Sequence, residues 1–191
     1  MRLFVALEIP AAVRDNLAAL LHGFQTLSAG LADKRPHWVR PENLHVTLKF
    51  IGETASATLG GIRAALSQVR SDAEIELQFR GLGFFPDEKR PKVLWAGVNA
   101  SPNLSSLAGD IDRALVTEGI APEKRAFSPH LTLARFEPPG LHETLRAAVQ
   151  KGSTREFGSF QAREFQLIES KLKPSGAEYT TLASFPFTME L

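Results

Sequence analysis

Cysteine is absent from this chain of 191 residues. Its absence excludes a disulfide framework, a zinc ribbon and a thiol nucleophile, and it is compatible with a reducing compartment. The chain also lacks any run of about 20 apolar residues, the length that a membrane-spanning helix needs. The first apolar segment is interrupted by Glu8 and Pro10 and is too short for a secretory signal. We therefore expect a cytoplasmic protein with no membrane partner.

A strong charge of either sign is missing as well. Lysine and arginine number 22 against 21 acidic residues, which gives a formal net charge of +1. This balance is not typical of a protein that coats duplex nucleic acid, although a short or single-stranded partner can still bind through local patches. The sequence offers no cluster of Asp, Glu and His at metal-ligand spacing, which argues against a metal-dependent hydrolase. We expect one domain over residues 1–191.

The phrase His-x-Thr-Leu is present twice, beginning at His45 and at His130. Residues i and i+2 of a β-strand share a face, so each histidine projects together with its threonine, Thr47 or Thr132. The intervening apolar residues then turn toward a core. A single His-x-Thr on a strand is most often structural. Its repetition indicates a site made of two imidazoles and two hydroxyls.

The elements around the two phrases follow one order: strand, helix, basic loop, motif strand, helix, strand. Hydrophobic periodicity predicts strands at 3–9, 44–51, 75–79, 93–98, from 130 onward, 157–168 and 179–187. It predicts helices at 11–28, 54–69, 104–115 and 141–149. Connections are expected at 81–91 and around 171–176. The step from His45 to His130 is 85 residues and that from Phe79 to Phe165 is 86. This regularity predicts an internal duplication. The expected fold is α+β, with two related lobes about a pseudo-two-fold axis, two mainly antiparallel sheets flanked by helices, and a cleft between them.

Two facing histidines can act as acid and base near neutral pH, because the pKa of an unperturbed imidazole is about 6.5. The threonine hydroxyls can donate hydrogen bonds to phosphate oxygens. Such a site suits in-line displacement at a phosphodiester whose leaving group needs a proton. The two phrases are alike, so the residues alone do not say which histidine is the acid. Arg135 has the strand parity of Leu131, and a regular strand would turn it away from the cleft unless the register shifts.

Further phrases carry a family resemblance. They are Phe-Val-Ala-Leu at 4–7, Pro-Glu-Asn-Leu before His45, Pro-His-Leu-Thr-Leu-Ala-Arg at 129–135, and Ser-Lys-Leu-Lys-Pro-Ser-Gly-Ala-Glu-Tyr at 170–179. The last is similar to the S-x-L-x-P-x-G-x-x-Y loop near the end of the two-histidine phosphoesterases. Together, from residue 3 to about 182, they resemble the RNA 2',3'-cyclic phosphodiesterases of that superfamily, also called 2'-5' RNA ligases.

The resemblance implies hydrolysis of a terminal RNA 2',3'-cyclic phosphate to a 2'-phosphate, without a metal or nucleotide cofactor. It also implies that His45 donates a proton to the departing 3'-oxygen and that His130 deprotonates water. By the same resemblance Thr47, Thr132 and Arg135 hold the phosphate. With an RNA 5'-hydroxyl in place of water, the reaction becomes 2'-5' ligation without ATP.

Two aromatic residues, Tyr179 and Phe50, are candidate stacking partners for a terminal base, with simple packing as the alternative. The basic pairs Lys34-Arg35, Lys89-Arg90 and Lys171/Lys173 are either solvated or in contact with an RNA backbone. We expect a monomer that acts on RNA ends, including tRNA fragments. Two alternatives stay open: an RNA-end binding protein without turnover, and a phosphodiesterase for small nucleotides such as ADP-ribose cyclic phosphate.

Overall fold

The computed structural model describes residues 1–29, 36–71, 73–137, 143–174 and 176–187. The basic pair Lys34-Arg35 and the predicted start of a helix at residue 141 lie outside these ranges. No helix of the described ranges is long and apolar enough to span a membrane.

The described residues form nine strands and four α-helices. The strands are β1 (Arg2–Glu8), β2 (His37–Trp38), β3 (His45–Glu53), β4 (Ile75–Phe85), β5 (Val93–Ala100), β6 (His130–Arg135), β7 (Glu156–Ala162), β8 (Glu164–Lys173) and β9 (Gly176–Pro186). The α-helices are α1 (Ala11–Ser28), α2 (Leu59–Leu66), α3 (Asn103–Val116) and α4 (Glu143–Lys151), and short 3-10 turns cover Pro41–Asn43 and Ser56–Thr58.

The strands form one curled antiparallel sheet in the order β7-β4-β5-β6-β3-β1-β8-β9, with the short β2 paired to β6. The order is symmetric about its centre, where the motif strands β6 and β3 are neighbours and each is followed outward by the first strand of a half, β5 or β1. Beyond them, β4 of the first half pairs with β5, and β8 of the second half pairs with β1. The halves meet where Val46 of β3 pairs with Leu131 of β6. The predicted α+β class with antiparallel strands and flanking helices is confirmed.

Strand β1 separates the main core from the cleft. Its side chains Leu3, Val5 and Leu7 are at most 1% exposed and belong to the main hydrophobic core. The alternate residues Phe4 and Ala6 point to the other face, where they form a second small cluster with Ile168 and the partly buried Tyr179. Because successive side chains of a strand point to opposite faces, this second cluster forms part of the cleft floor.

Four of the predicted boundaries were wrong. The helix predicted at 54–69 is a 3-10 turn at Ser56–Thr58 followed by the shorter α2 at Leu59–Leu66. Strand β4 does not end near Phe79 but continues to Phe85 through a register shift, in which Gly81 takes a positive φ of 78°. A Cβ at Gly81 would also lie 2.7 Å from the carbonyl oxygen of Ser153. The predicted strand 157–168 is two strands that separate at Arg163, and the expected loop around 171–176 is mostly the β8–β9 hairpin. Its polar residues are solvated on both faces, so they lack the alternation that indicates a strand.

Candidate active site

The two His-x-Thr segments lie side by side, because β3 and β6 are antiparallel neighbours with Val46 opposite Leu131. Both of these apolar side chains are fully buried. The neighbouring residues follow the same register, so His45 is opposite Thr132 and Thr47 is opposite His130. These four side chains lie on the face of the sheet opposite to that of Val46 and Leu131. The two histidines thus occupy diagonal positions, which in antiparallel sheets are roughly 7–8 Å apart. A phosphate fits between groups at that spacing.

Each imidazole is held in the same way, by the carbonyl oxygen two residues before it. His45 Nδ1 lies 2.7 Å from the oxygen of Asn43, and His130 Nδ1 lies 2.8 Å from the oxygen of Ser128. A carbonyl oxygen only accepts hydrogen bonds, so Nδ1 carries the proton in both rings. Nε2 is then the nitrogen that gains or loses a proton, and each ring is ready to act as acid or base.

Aromatic rings lie against both histidines. The ring centroid of His45 lies 4.7 Å from that of Phe4 and 5.3 Å from that of Tyr179, and His130 lies edge-on to Phe85 at 5.0 Å. Sequence reasoning did not identify Phe4 or Phe85 as site residues. The parity of β1 could have placed Phe4 on the cleft face, whereas Phe85 was assigned to a connection because β4 was expected to end early.

Burial is the main reason why the pKa of His45 falls to about 4. The hydrogen bond to Asn43 opposes this fall, while the positive charges of His130 and Arg135 add to it. With no anion beside it, the His45 imidazole is therefore neutral at pH 7. The influence of Arg135 also shows that its guanidinium lies close to the paired histidines.

Arg135 reaches the cleft through a β-bulge. In the β5–β6 pairing Leu94 is opposite Ala134 but Trp95 is opposite Thr132, so one residue of β6 is skipped and the alternation shifts. Two consecutive residues, 133 and 134, are buried there, and Arg135 returns to the face of Thr132. The expectation for a regular strand, which would turn Arg135 away, does not hold.

The same bulge is present in β3. Val5 is opposite Lys49 and Ala6 is opposite Thr47, and residues 48 and 49 are both buried. This shift brings Phe50 onto the cleft face, in the position that corresponds to Arg135. Phe50 is 58% exposed, so it is not a core residue, and its nearest ring partner is Phe4 at 6.4 Å.

Tyr179 is half-buried at the boundary of the cleft. Its ring lies 5.0 Å from Phe4 as well as against His45. Burial raises the pKa of Tyr179, and the charges of Arg135 and Arg2 oppose that rise. Tyr179 therefore packs on the cleft floor with two cations near its hydroxyl, while Phe50 is the more accessible of the two predicted stacking residues.

Of the remaining basic residues, Lys171 and Lys173 each face a carboxylate. Their Nζ atoms lie 3.3 Å from Glu169 and 2.6 Å from Glu178, so much of their charge is compensated. His37 is opposite Arg135 in the β2–β6 pair. Within the described part of the chain, no three His, Asp or Glu side chains are grouped as metal ligands.

Paired His-x-Thr strands on one face of a curled antiparallel sheet define a two-histidine phosphoesterase. The model of the 2'-5' RNA ligase superfamily matches residues 4–173. The chain belongs to that superfamily.

Relatives and a solved structure agree with this assignment along nearly the whole chain. An RNA 2',3'-cyclic phosphodiesterase of Archaeoglobus fulgidus is 34% identical over 97% of this chain and 99% of its own length. One of Methanothermobacter thermautotrophicus is 32% identical, with 97% of this chain and 98% of the relative covered. The crystal structure of a Thermus thermophilus protein aligns with a TM-score of 0.77 at 30% identity and covers 100% of both chains.

Proposed function

We propose that this protein is an RNA 2',3'-cyclic phosphodiesterase that hydrolyses the terminal cyclic phosphate to a 2'-phosphate. The observation that carries the proposal is the diagonal pair His45 and His130, each with Nδ1 on a carbonyl oxygen and Nε2 left to exchange a proton. The names of the relatives in Archaeoglobus and Methanothermobacter support this substrate.

In the proposed reaction His130 accepts a proton from water as the water oxygen attacks phosphorus. The bond from phosphorus to the 3'-oxygen breaks, and His45 protonates that oxygen, so the phosphate remains on the 2'-oxygen. Thr47 and Thr132 donate hydrogen bonds to the non-bridging oxygens, and Arg135 stabilises the charge that develops on them. Neither threonine hydroxyl is engaged in a hydrogen bond with another described residue, which leaves both free for substrate.

The low pKa of His45 places a condition on this assignment of acid and base. A proton donor must be charged when the leaving group departs, yet burial and two nearby cations keep the imidazole neutral before the substrate binds. The cyclic phosphate is an anion, and an anion beside an imidazole raises its pKa. We propose that substrate binding itself protonates His45, because the negative phosphate offsets the charge of Arg135 while His130 stays neutral as the base.

Product analysis on an RNA that ends in 2',3'-cyclic phosphate tests the proposal. We expect a 2'-phosphate product, and we expect His45→Ala and His130→Ala each to lower kcat by at least about 100-fold. His22→Ala is the matched control, because His22 is exposed on α1, away from the cleft. A 3'-phosphate product would contradict the proposed leaving group. Tight binding with no turnover would instead favour the RNA-end binding protein.

Ligation of RNA ends by the same site is part of this proposal. An RNA 5'-hydroxyl in the place of water would attack phosphorus and yield a 2'-5' linkage, with the energy of the strained cyclic ester and without ATP. That the protein is a monomer in the cytoplasm and acts on tRNA fragments stays a prediction from sequence.

A further inference from the structure

A cavity of about 220 Å³ opens beside His45, and Arg135 is not among the residues that line it. It lies between the end of β1, the start of α1 and the turn that precedes β3. Its polar walls and its floor come from different elements. They include Glu8, Arg14, Glu42, Asn43, Ile168 and Thr181, and the ring of Tyr179 closes one side. We call this space the Glu8 pocket.

The charged groups near Tyr179 differ from those of the Glu8 pocket. The positive charges of Arg135 and Arg2 act on the Tyr179 hydroxyl. The Glu8 pocket contains two carboxylates, Glu8 and Glu42, and one guanidinium, Arg14. Because the carboxylates outnumber the guanidinium, a phosphate is less favoured here than beside Arg135. The pocket therefore suits a neutral group of the substrate that offers hydrogen-bond donors.

Glu8 offers hydrogen-bond acceptors in this pocket. It is directly opposite His45 in the β1–β3 pair, and its Oε1 accepts a hydrogen bond of 3.3 Å from the Thr181 hydroxyl. No lysine or arginine of the described chain forms an ion pair with Glu8, so its carboxylate retains acceptor sites for a ligand.

Arg14 supplies unused donors on the same wall. One of its terminal nitrogens donates to the carbonyl oxygen of Ile9 at 3.0 Å, but its Nε is buried with no hydrogen-bond partner among the described residues. Nε is enclosed by protein atoms and does not face the pocket. The other terminal nitrogen forms no hydrogen bond with a described residue, and it is the donor that remains for a ligand. The pocket thus combines acceptors from Glu8 with a guanidinium, over an apolar floor at Ile168.

We propose that the Glu8 pocket binds the base of the terminal nucleotide and selects guanine. This inference rests on the proposed function, since it places the base next to the histidine that protonates the 3'-oxygen. Guanine presents two adjacent donors, N1–H and the N2 amino group, which match the two oxygens of one carboxylate. Its O6 and N7 are acceptors of the kind that arginine recognises. Phe50, on the far side of His45, then remains for the preceding base.

The other bases meet the pocket less well. Adenine sets its N1 acceptor against the carboxylate, and uracil flanks its one donor with two carbonyl oxygens. Cytosine offers one amino group beside an acceptor nitrogen. Each leaves a carboxylate oxygen of Glu8 without a donor, and an unmatched polar group in a binding site costs affinity.

The test uses four short RNAs that end in 2',3'-cyclic phosphate and differ only in the last base. We expect wild-type kcat/KM to be about tenfold higher for guanosine than for adenosine, near the low end for a bidentate base contact. Glu8→Gln should lower the ratio of guanosine to adenosine toward one. Thr181→Val removes the hydrogen bond to Glu8 without changing the charge of the pocket, and it should also lower the ratio of guanosine to adenosine. Glu76→Gln, at an exposed glutamate of β4, is the control and should retain the ratio.

Binding of guanosine 2'-phosphate and adenosine 2'-phosphate, measured by calorimetry, gives the same comparison without turnover. Equal turnover of all four RNAs by the wild type would overturn the guanine pocket and leave the phosphodiesterase intact. Hydrolysis of none of them would instead contradict the proposed function. A guanosine preference that survives Glu8→Gln would show that another part of the cleft selects the base.

Discussion

His45 and His130 hold equivalent positions in two similar strands, yet their neighbours differ. Across the sheet from His45 is Glu8, while Gly97 is across from His130. Aromatic rings enclose His45 from two sides, and its pKa falls to about 4. The identical phrases in the sequence therefore do not imply identical chemistry, because the acid–base character of each imidazole depends on residues from other strands.

Acid should weaken the fold through His45. Its pKa is about 4 in the folded protein and about 6.5 when unfolded, so between these values the unfolded chain binds more protons. The free energy of unfolding should therefore fall as pH drops from 6.5 to 4, by on the order of 3 kcal/mol for this one group. Urea unfolding at several pH values measures it against His45→Asn, which should lack this component. His22→Asn should behave as the wild type. If the free energy of unfolding changed with pH in the same way for the wild type and for His45→Asn, the His45 imidazole would have the same pKa in the folded and unfolded states.

At the scale of elements, a pair of matching bulges determines what faces the cleft. The bulges in β3 and β6 fall three to four residues after each histidine, and they bring Phe50 and Arg135 onto the face of the threonines. The strand pattern predicted the four motif side chains, because two-residue alternation holds from His45 to Thr47 and from His130 to Thr132. It did not predict which face the sixth residue of either strand, Phe50 or Arg135, would take, because a bulge is defined by pairing with a neighbour.

The helices and most strands follow from periodicity, as α1 shows, since its predicted range 11–28 matches the structure. The failures have a common cause. Strand β4 passes Gly81 by a register shift, and the β8–β9 hairpin is held by backbone pairing between polar segments. Neither depends on an apolar pattern. The Glu8 pocket was also missed, because it combines residues from six separate elements.

A buried ion pair fixes β3 to the chain that leads into β6. Lys49 is 6% exposed, pairs with Asp112 of α3, and donates to the carbonyl oxygen of Ala121 at 2.7 Å. Asp112 also accepts a hydrogen bond of 3.1 Å from the backbone N–H of Glu123. The pair therefore links α3 and β3 to the segment that precedes His130.

Removing the two partners should have unequal effects. Asp112→Leu leaves a deeply buried ammonium group unpaired and should lower the free energy of unfolding by about 3 kcal/mol or more. Lys49→Met leaves a carboxylate that still contacts water and should cost less. The double variant should recover part of the loss, because replacing both charges removes the burial penalty. Denaturant unfolding of the three variants measures this, and additive losses would show that the two charges do not interact.

For the whole molecule, the exchange of β4 and β8 makes each half depend on the other. The sheet of the second half includes a strand from the first half, and the reverse is also true. This arrangement supports the proposal that residues 1–191 form a single domain of two related lobes. It also explains why the cleft has one His-x-Thr from each half, since the two motif strands are the ones that meet at the centre.

The residues around His130 differ from those around His45, and this difference affects how well the cleft can hold a second RNA end for ligation. Water greatly outnumbers any RNA 5'-hydroxyl, so joining requires both ends to be bound near the phosphate at a high effective concentration. Phe85 and Trp95 lie 5.4 Å apart beside His130, the proposed base, and offer a surface for the attacking strand. Hydrolysis needs no such second end. We therefore expect ligation to be weak unless the two ends are held together by one folded RNA.

A nicked hairpin with a 2',3'-cyclic phosphate and a 5'-hydroxyl at the nick tests this expectation. Incubation without any nucleotide should give a joined product at a low level, and cutting the hairpin into two unpaired strands should abolish joining while hydrolysis continues. The junction should resist a nuclease specific for 3'-5' bonds, because departure of the 3'-oxygen leaves phosphorus on the 2'-oxygen. His45→Ala should eliminate joining and hydrolysis together, since both need a proton on that oxygen. Cleavage of the junction by the nuclease would show that the 2'-oxygen leaves instead. Loss of joining alone in that variant would mean that His45 does not protonate the leaving group in both reactions.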